Sequence, residues 1–178
     1  MKTDRNFKIL YCTAYDFMTA EIGKEALEDK LDHYRNYKVQ TFQDLFWHLI
    51  YSLTNKVGMR ATIGDIDTLA TFLFDFDPQC TCNHYGDDWA TLFKGIKSHH
   101  TPPGPMNIQN ESSFWVIFCK GILSGAAFLS EFETPQALDQ FVQSFAHHDL
   151  AIPALPMAIE QEVYGMGFPL ACDWLSRY

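Results

Sequence analysis

The chain has 178 residues, of which 47% are hydrophobic and 15% aromatic, and 13 basic residues against 22 acidic ones give a formal net charge of −9. That hydrophobicity excludes disorder over most of the length, and the composition excludes collagen, coiled-coil and disulfide-scaffold classes. The acidity excludes a protein that holds nucleic acid or an anionic membrane by bulk attraction, so DNA could be held only at a local site whose geometry outweighs the overall charge.

In chain order, Phe7–Tyr11 reads as a short strand or as the approach to a helix, and 14–34 reads as one helix with Glu21, Lys24, Glu25 and Glu28 on its exposed side. Thr41 opens a clear helix. Phe42, Leu45, Phe46, Leu49, Ile50 and Leu53 recur at helical spacing, and Asp44 stands where a capping-box acid stands. Thr62 with Asp65 repeats the device ahead of a stripe from Ile63 to Phe74, which Pro78 is expected to end. Residues 77–87 show little periodicity and read as a loop. Asp87 or Asp88 then caps a helix through Trp89, Leu92, Phe93 and Ile96. His99-His100-Thr-Pro-Pro-Gly-Pro105 is the strongest breaker, and the loop near 99–111 is where the chain would divide if it has two lobes.

Ser112 or Ser113 starts an apolar helix through Leu129. It carries Lys120 and is too short to span a bilayer, so it reads as a buried helix. Gly121 and Gly125 lower its intrinsic propensity and permit close approach by a neighbouring helix. Thr134-Pro135 is a cap followed by a first-turn proline. With no run of alternating strands, the expected class is all-α. About seven or eight helices form a single domain over 1–178, in one lobe or two, with a helical hairpin over 153–178.

That hairpin is the segment with chemistry in it. A short helix can start at Pro156, Gly165 and Gly167 make a tight turn, and a second helix follows at once. Two glycines one residue apart let the chain reverse without side-chain clash. They leave backbone N–H groups bare at a helix N-terminus, a natural seat for a phosphate that needs no lysine.

The segment resembles the helix-hairpin-helix of the base-excision DNA glycosylases, with Val163, Gly165, Met166, Gly167, Ala171 and Leu175 in the places of that pattern. The match covers about 20 residues; beyond it, only the helical class agrees. The resemblance implies a DNA-binding protein of the DNA-repair class, with a phosphate on the amides of Gly165, Met166, Gly167 and Phe168. It also implies a monovalent cation on the carbonyls of Gln161, Val163 and Met166. Three features depart from the pattern. The lysine that bifunctional members use as a nucleophile falls at Pro169, so the hydrolase chemistry left is N-glycosidic cleavage of a damaged base by attack of water. The family's catalytic aspartate would fall past Tyr178, so the catalytic residue is unknown. Tyr164 also replaces the proline usual before the first glycine.

Against this stands the plainer reading of a C-cap glycine followed by another helix, with no ligand. The alternative function is then a non-enzymatic acidic all-α module that binds a protein partner. Cys80-x-Cys82-x-His84 has zinc-type ligands, but its spacing is not that of a structural site and no second pair follows, so two loop thiols and a polar turn explain it better. His147-His148 suits a helix C-terminus. His48 suits the core, and Asp75 and Asp77 suit a helix end before proline. The five cysteines, Cys12, Cys80, Cys82, Cys119 and Cys172, are odd in number and scattered, which fits free thiols in a cytoplasmic protein with no membrane partner.

Overall fold

The computed structural model describes residues 2–36, 41–146 and 154–176. Among them every regular element is a helix, which gives the expected all-α class with eleven helices rather than seven or eight. The described chain divides into two compact units, Met1–Lys38 and Val39–Tyr178.

The first unit is a pair of helices, α1 (Lys2–Ile22) and α2 (Lys24–Asn36). Gly23 separates them at φ +84°, a left-handed conformation that glycine adopts without a Cβ penalty. One helix was expected over 14–34, and the strand alternative at Phe7–Tyr11 is replaced by α1. The Tyr15 hydroxyl donates to Glu28 across the pair.

The second unit is built around one long apolar helix. It begins with α3 (Phe42–Thr54), whose N-terminus is closed by Thr41, where Oγ1 accepts from the Asp44 amide at 3.1 Å. The expected capping box is altered, because the Asp44 carboxylate accepts from the Thr41 hydroxyl at 2.7 Å. A turn at 55–58 leads into the short α4 (Met59–Ile63). Gly64 at φ +81° breaks the helix there, and a 3-10 helix (Ile66–Phe72) follows, capped by Asp65 rather than Thr62.

Phe74, Asp75 and Phe76 then run at φ 51°, 54° and 61°, one turn of left-handed backbone. The expected continuous stripe through Phe74 ends here, and Phe74 is exposed. Pro78 does not terminate a helix. It opens α5 (Pro78–Tyr85), where its missing N–H costs nothing, and Asp77 Oδ1 accepts from the Cys80 amide at 2.7 Å. The segment read as a loop is therefore mostly helical.

Asp88 caps α6 (Trp89–His99), accepting from the Thr91 amide at 3.0 Å. The irregular stretch 100–113 follows. It is fastened at its centre, where the Gly104 amide donates to the Thr62 carbonyl at 3.1 Å and a Cβ on Gly104 would meet Thr62 Cα at 2.6 Å. Ser113 caps α7 (Phe114–Ser130), the spine of this unit. Trp115, Val116, Phe118, Cys119, Ile122, Ala126 and Leu129 on it are fully buried, and α3, α4, α5 and α6 pack around it. The expected close approach at its glycines is present. A Cβ on Gly121 would lie 2.8 Å from the Tyr164 carbonyl oxygen, and one on Gly125 would lie 2.6 Å from Leu49 Cδ2. Thr134 caps α8 (Pro135–Ala146), its hydroxyl accepting from the Ala137 amide. The last two helices are α9 (Ala154–Glu162) and α10 (Phe168–Leu175). Among the described residues, no single helix is long and apolar enough to cross a membrane.

Candidate functional site

The α9–α10 hairpin forms because its apolar residues alternate between core contact and turn. Val163, Met166, Ala171 and Trp174 are buried. The Trp174 indole donates to the Leu45 carbonyl near the start of α3, and Asp173 accepts from Ser52 Oγ and Asn55 Nδ2 at its end, at 2.8 Å each, so α10 is fixed along α3. The Tyr164 amide donates to Ser124 Oγ at 2.8 Å, which fixes the start of the turn to α7.

The two glycines have different reasons to be there. Gly165 lies at φ +77°, and a Cβ on it would stand 2.8 Å from Ile117 Cγ2, so both backbone and packing require glycine. Gly167 lies at φ −70°, ψ 167°, which any residue adopts. A Cβ there would meet only Pro169 Cδ at 3.9 Å and Glu160 Oε1 at 4.0 Å, ordinary contacts. Folding does not demand a glycine at 167.

Around this turn the amide hydrogens divide cleanly. Met166 donates to the Val163 carbonyl at 3.1 Å, and Leu170 and Ala171 donate to the Gly167 carbonyl at 2.9 and 3.1 Å. Pro169 has no N–H. The amides of Gly165, Gly167 and Phe168 donate to nothing among the described residues. These three sit at the N-terminal end of α10, where the helix dipole adds partial positive charge. Of the four amides expected to face a phosphate, Met166 is thus committed within the turn and buried, and the other three are uncommitted. On the carbonyl side, Val163 already accepts one bond, which leaves its second lone pair for the cation implied at Gln161, Val163 and Met166. The portions of 153–178 at 153, 177 and 178 lie outside the described residues.

The turn opens on a depression of about 540 Å³ lined by Gly165, Met166 and Gly167 on one side and by Asn55, Lys56 and Val57 on the other. Val57 is 91% exposed. Lys56 supplies a cation and Glu160 an anion, so the seat is not walled by carboxylates. Asn55 and Lys56 were not singled out by the sequence as site residues. The fold brings them to the hairpin through the Asn55–Asp173 bond, which links residues 118 apart in the chain.

The remaining sequence candidates do other work. Asp77 is a helix cap and a 3.4 Å partner of Gln43, and Asp75 is exposed on the left-handed turn, so the two carboxylates do not form a catalytic pair. Trp47 donates to Asp67 at 2.6 Å and its ring meets that of His48 edge-on. His99 is bonded to Ser98 and Gly95, and His100 approaches Thr68 and the Ile63 carbonyl. His147, His148 and Asp149 lie outside the described residues.

Cys80, Cys82 and His84 all stand on α5, and among the described residues no three His, Cys, Asp or Glu side chains are grouped to hold a metal ion. Desolvation, and then the Asp77 carboxylate, push the Cys80 thiol up. Burial pushes the Cys119 thiol up as well.

No protein-family model, curated protein or solved structure matches this chain.

Proposed function

We propose that the α9–α10 turn binds a DNA phosphate, and that the chain is a DNA-binding protein of the helix-hairpin-helix type. The observation that carries this reading is Gly167. Neither its backbone angles nor its surroundings require glycine, yet its own amide and that of Phe168 are uncommitted at a helix N-terminus. A missing side chain at such a point lets a phosphate reach the backbone. Lys56 across the depression adds a positive charge, and the acidity of the remaining surface confines binding to this spot. If the protein acts on its DNA, proline at 169 leaves no amine for covalent chemistry there, and cleavage of a damaged base by water is the compatible reaction.

The test is duplex binding by fluorescence anisotropy across a salt titration. Gly167→Val leaves the thermal midpoint nearly unchanged, because the backbone and space accept it. It lowers affinity at least about tenfold by covering the amides, the loss of roughly one charge-assisted hydrogen bond. Lys56→Ala weakens binding on all sequences and reduces the salt slope by about 1. Glu160→Gln strengthens binding by removing a repulsive neighbour. Equal affinities for the protein and Gly167→Val, or no duplex binding at low salt, would overturn the reading. Gly165→Val is a poor probe, since its strain and its clash with Ile117 disturb the fold itself.

A further inference from the structure

A second concavity lies between the α5–α6 junction and α7. It encloses about 330 Å³, and its walls include Trp89, Tyr164, Leu123 and Ala127, with Asp87 contributing to the lining. Lys120 is the one basic side chain in that lining. Its Nζ stands 5.1 Å from the Trp89 ring centroid and 5.4 Å from that of Tyr164. Its ion-pair partner, Glu111, is 3.7 Å away and 81% exposed, a weak pair that another anion can replace. The cleft thus combines flat aromatic and aliphatic walls, a cation and a carboxylate acceptor, the mixture expected of a small-ligand site.

From this we infer that the cleft binds a nucleotide unit, with the planar base against the Trp89 and Tyr164 side and the phosphate on Lys120 Nζ. Three observations carry the assignment. The rings offer the stacking surface that every base can use. Lys120, partly desolvated among those rings, favours an anion over a neutral ligand. Tyr164 belongs both to the cleft and to the phosphate-facing turn. Its ring lines the cleft, its amide is held by Ser124 of the same cleft, and Gly165 follows it directly. Asp87 is an acceptor for a ring N–H or amino N–H of the base. The inference deepens the DNA reading, and the nucleotide could belong to a strand or be free.

Trp89 fluorescence reads the site. Trp115 and Trp174 are buried and Trp47 is tied to Asp67, and a Trp89→Phe variant assigns the signal. Thymidine monophosphate is titrated against thymidine, and a short single-stranded oligonucleotide competes in a second arm. The expected result is quenching by the monophosphate with an affinity at least about tenfold above that for thymidine. Lys120→Gln abolishes that difference and Lys120→Arg retains it. Gly167→Val leaves monophosphate binding unchanged while it weakens duplex binding. Competition by the oligonucleotide below the concentration of monophosphate needed assigns the unit to a strand, and the reverse order assigns it to a free nucleotide; both support the site. Equal binding of thymidine and its monophosphate, no quenching by either monophosphate or oligonucleotide, or an unaltered preference in Lys120→Gln would overturn it. A cleft that fails while Gly167→Val still weakens duplex binding leaves the hairpin reading standing, so the two claims fail separately.

Discussion

Asp75 sits in the middle of three consecutive residues at positive φ, none of them glycine. Left-handed backbone costs an L-residue about 1–2 kcal/mol, less for aspartate, whose short side chain bonds locally. The turn persists because it is over-determined: the Asp75 amide donates to the Ala70 carbonyl, and Asp77 donates to Leu73 and Phe74. Asp75 is exposed, so Asp75→Gly removes strain without removing core contact. The expected gain is about 0.5–1 kcal/mol after the added entropy of the unfolded chain is subtracted, measured by urea unfolding; Asp75→Val is expected to lower stability in the same assay. No feature of Phe-Asp-Phe signals such a turn, because its residues favour right-handed or extended backbone and only tertiary packing selects the alternative. That is why a continuous helix through Phe74 was the natural reading of the sequence.

Asp88 gives a pH signature of the same local kind. The Thr91 hydroxyl, and then the Thr91 amide, hold its carboxyl below the usual carboxylate value. A group whose folded value is depressed stabilises the fold above its unfolded value, about 3.9, and that contribution disappears as pH falls through the folded value. Asp88→Asn keeps a cap but removes the titration. The stability difference between the protein and this variant is therefore expected to be flat near neutral pH and to change only below about pH 4, followed by thermal unfolding.

Among the elements, α7 carries the clearest opposition of propensity and packing. Replacing a helical glycine by alanine gains up to about 1 kcal/mol in propensity, whereas overpacking a tight contact costs about 1–3 kcal/mol. At Gly125 the obstacle is the end of the Leu49 side chain, which can turn aside. At Gly121 it is the Tyr164 carbonyl, which is backbone and belongs to the hairpin. Gly121→Ala is expected to destabilise by about 1–2 kcal/mol and Gly125→Ala by less, compared by chemical denaturation. The reverse order would mean that the hairpin yields more readily than a leucine.

Helix starts were legible from a polar cap before an apolar stripe at Thr41, Asp88, Ser113 and Thr134, but not at Thr62, where the cap is Asp65. Breaks and restarts within a stripe were harder to read. Gly64 breaks the 59–72 stretch in mid-stripe. Pro78 was taken for a terminator, although proline is also at home in a first turn and Asp77 before it is a capping residue.

At the scale of the molecule, a net charge of −9 gives a duplex no general reason to approach. The proposed binding would then depend on a few donors whose positions are set by the fold, and it is expected to be weak, salt-sensitive and confined to one face. The Gly-x-Gly turn was visible in the sequence because its chemistry is local. The parts assembled from distant segments were not: Asn55 and Lys56 beside the turn, and Lys120 between Trp89 and Tyr164, become neighbours only when α3, α6 and α7 pack. The difference in kind between Gly165 and Gly167 was also hidden, since it depends on backbone angles and on Ile117.

The most direct measurement is a titration of isotopically labelled protein with a short DNA duplex, followed by amide NMR shifts. The Gly165, Gly167 and Phe168 amides are expected to move most and to move together. Met166 and Leu170, whose hydrogens are already bonded within the turn, should follow only weakly. Shifts centred elsewhere on the molecule, or a spectrum left unchanged by saturating duplex at low salt, would contradict it.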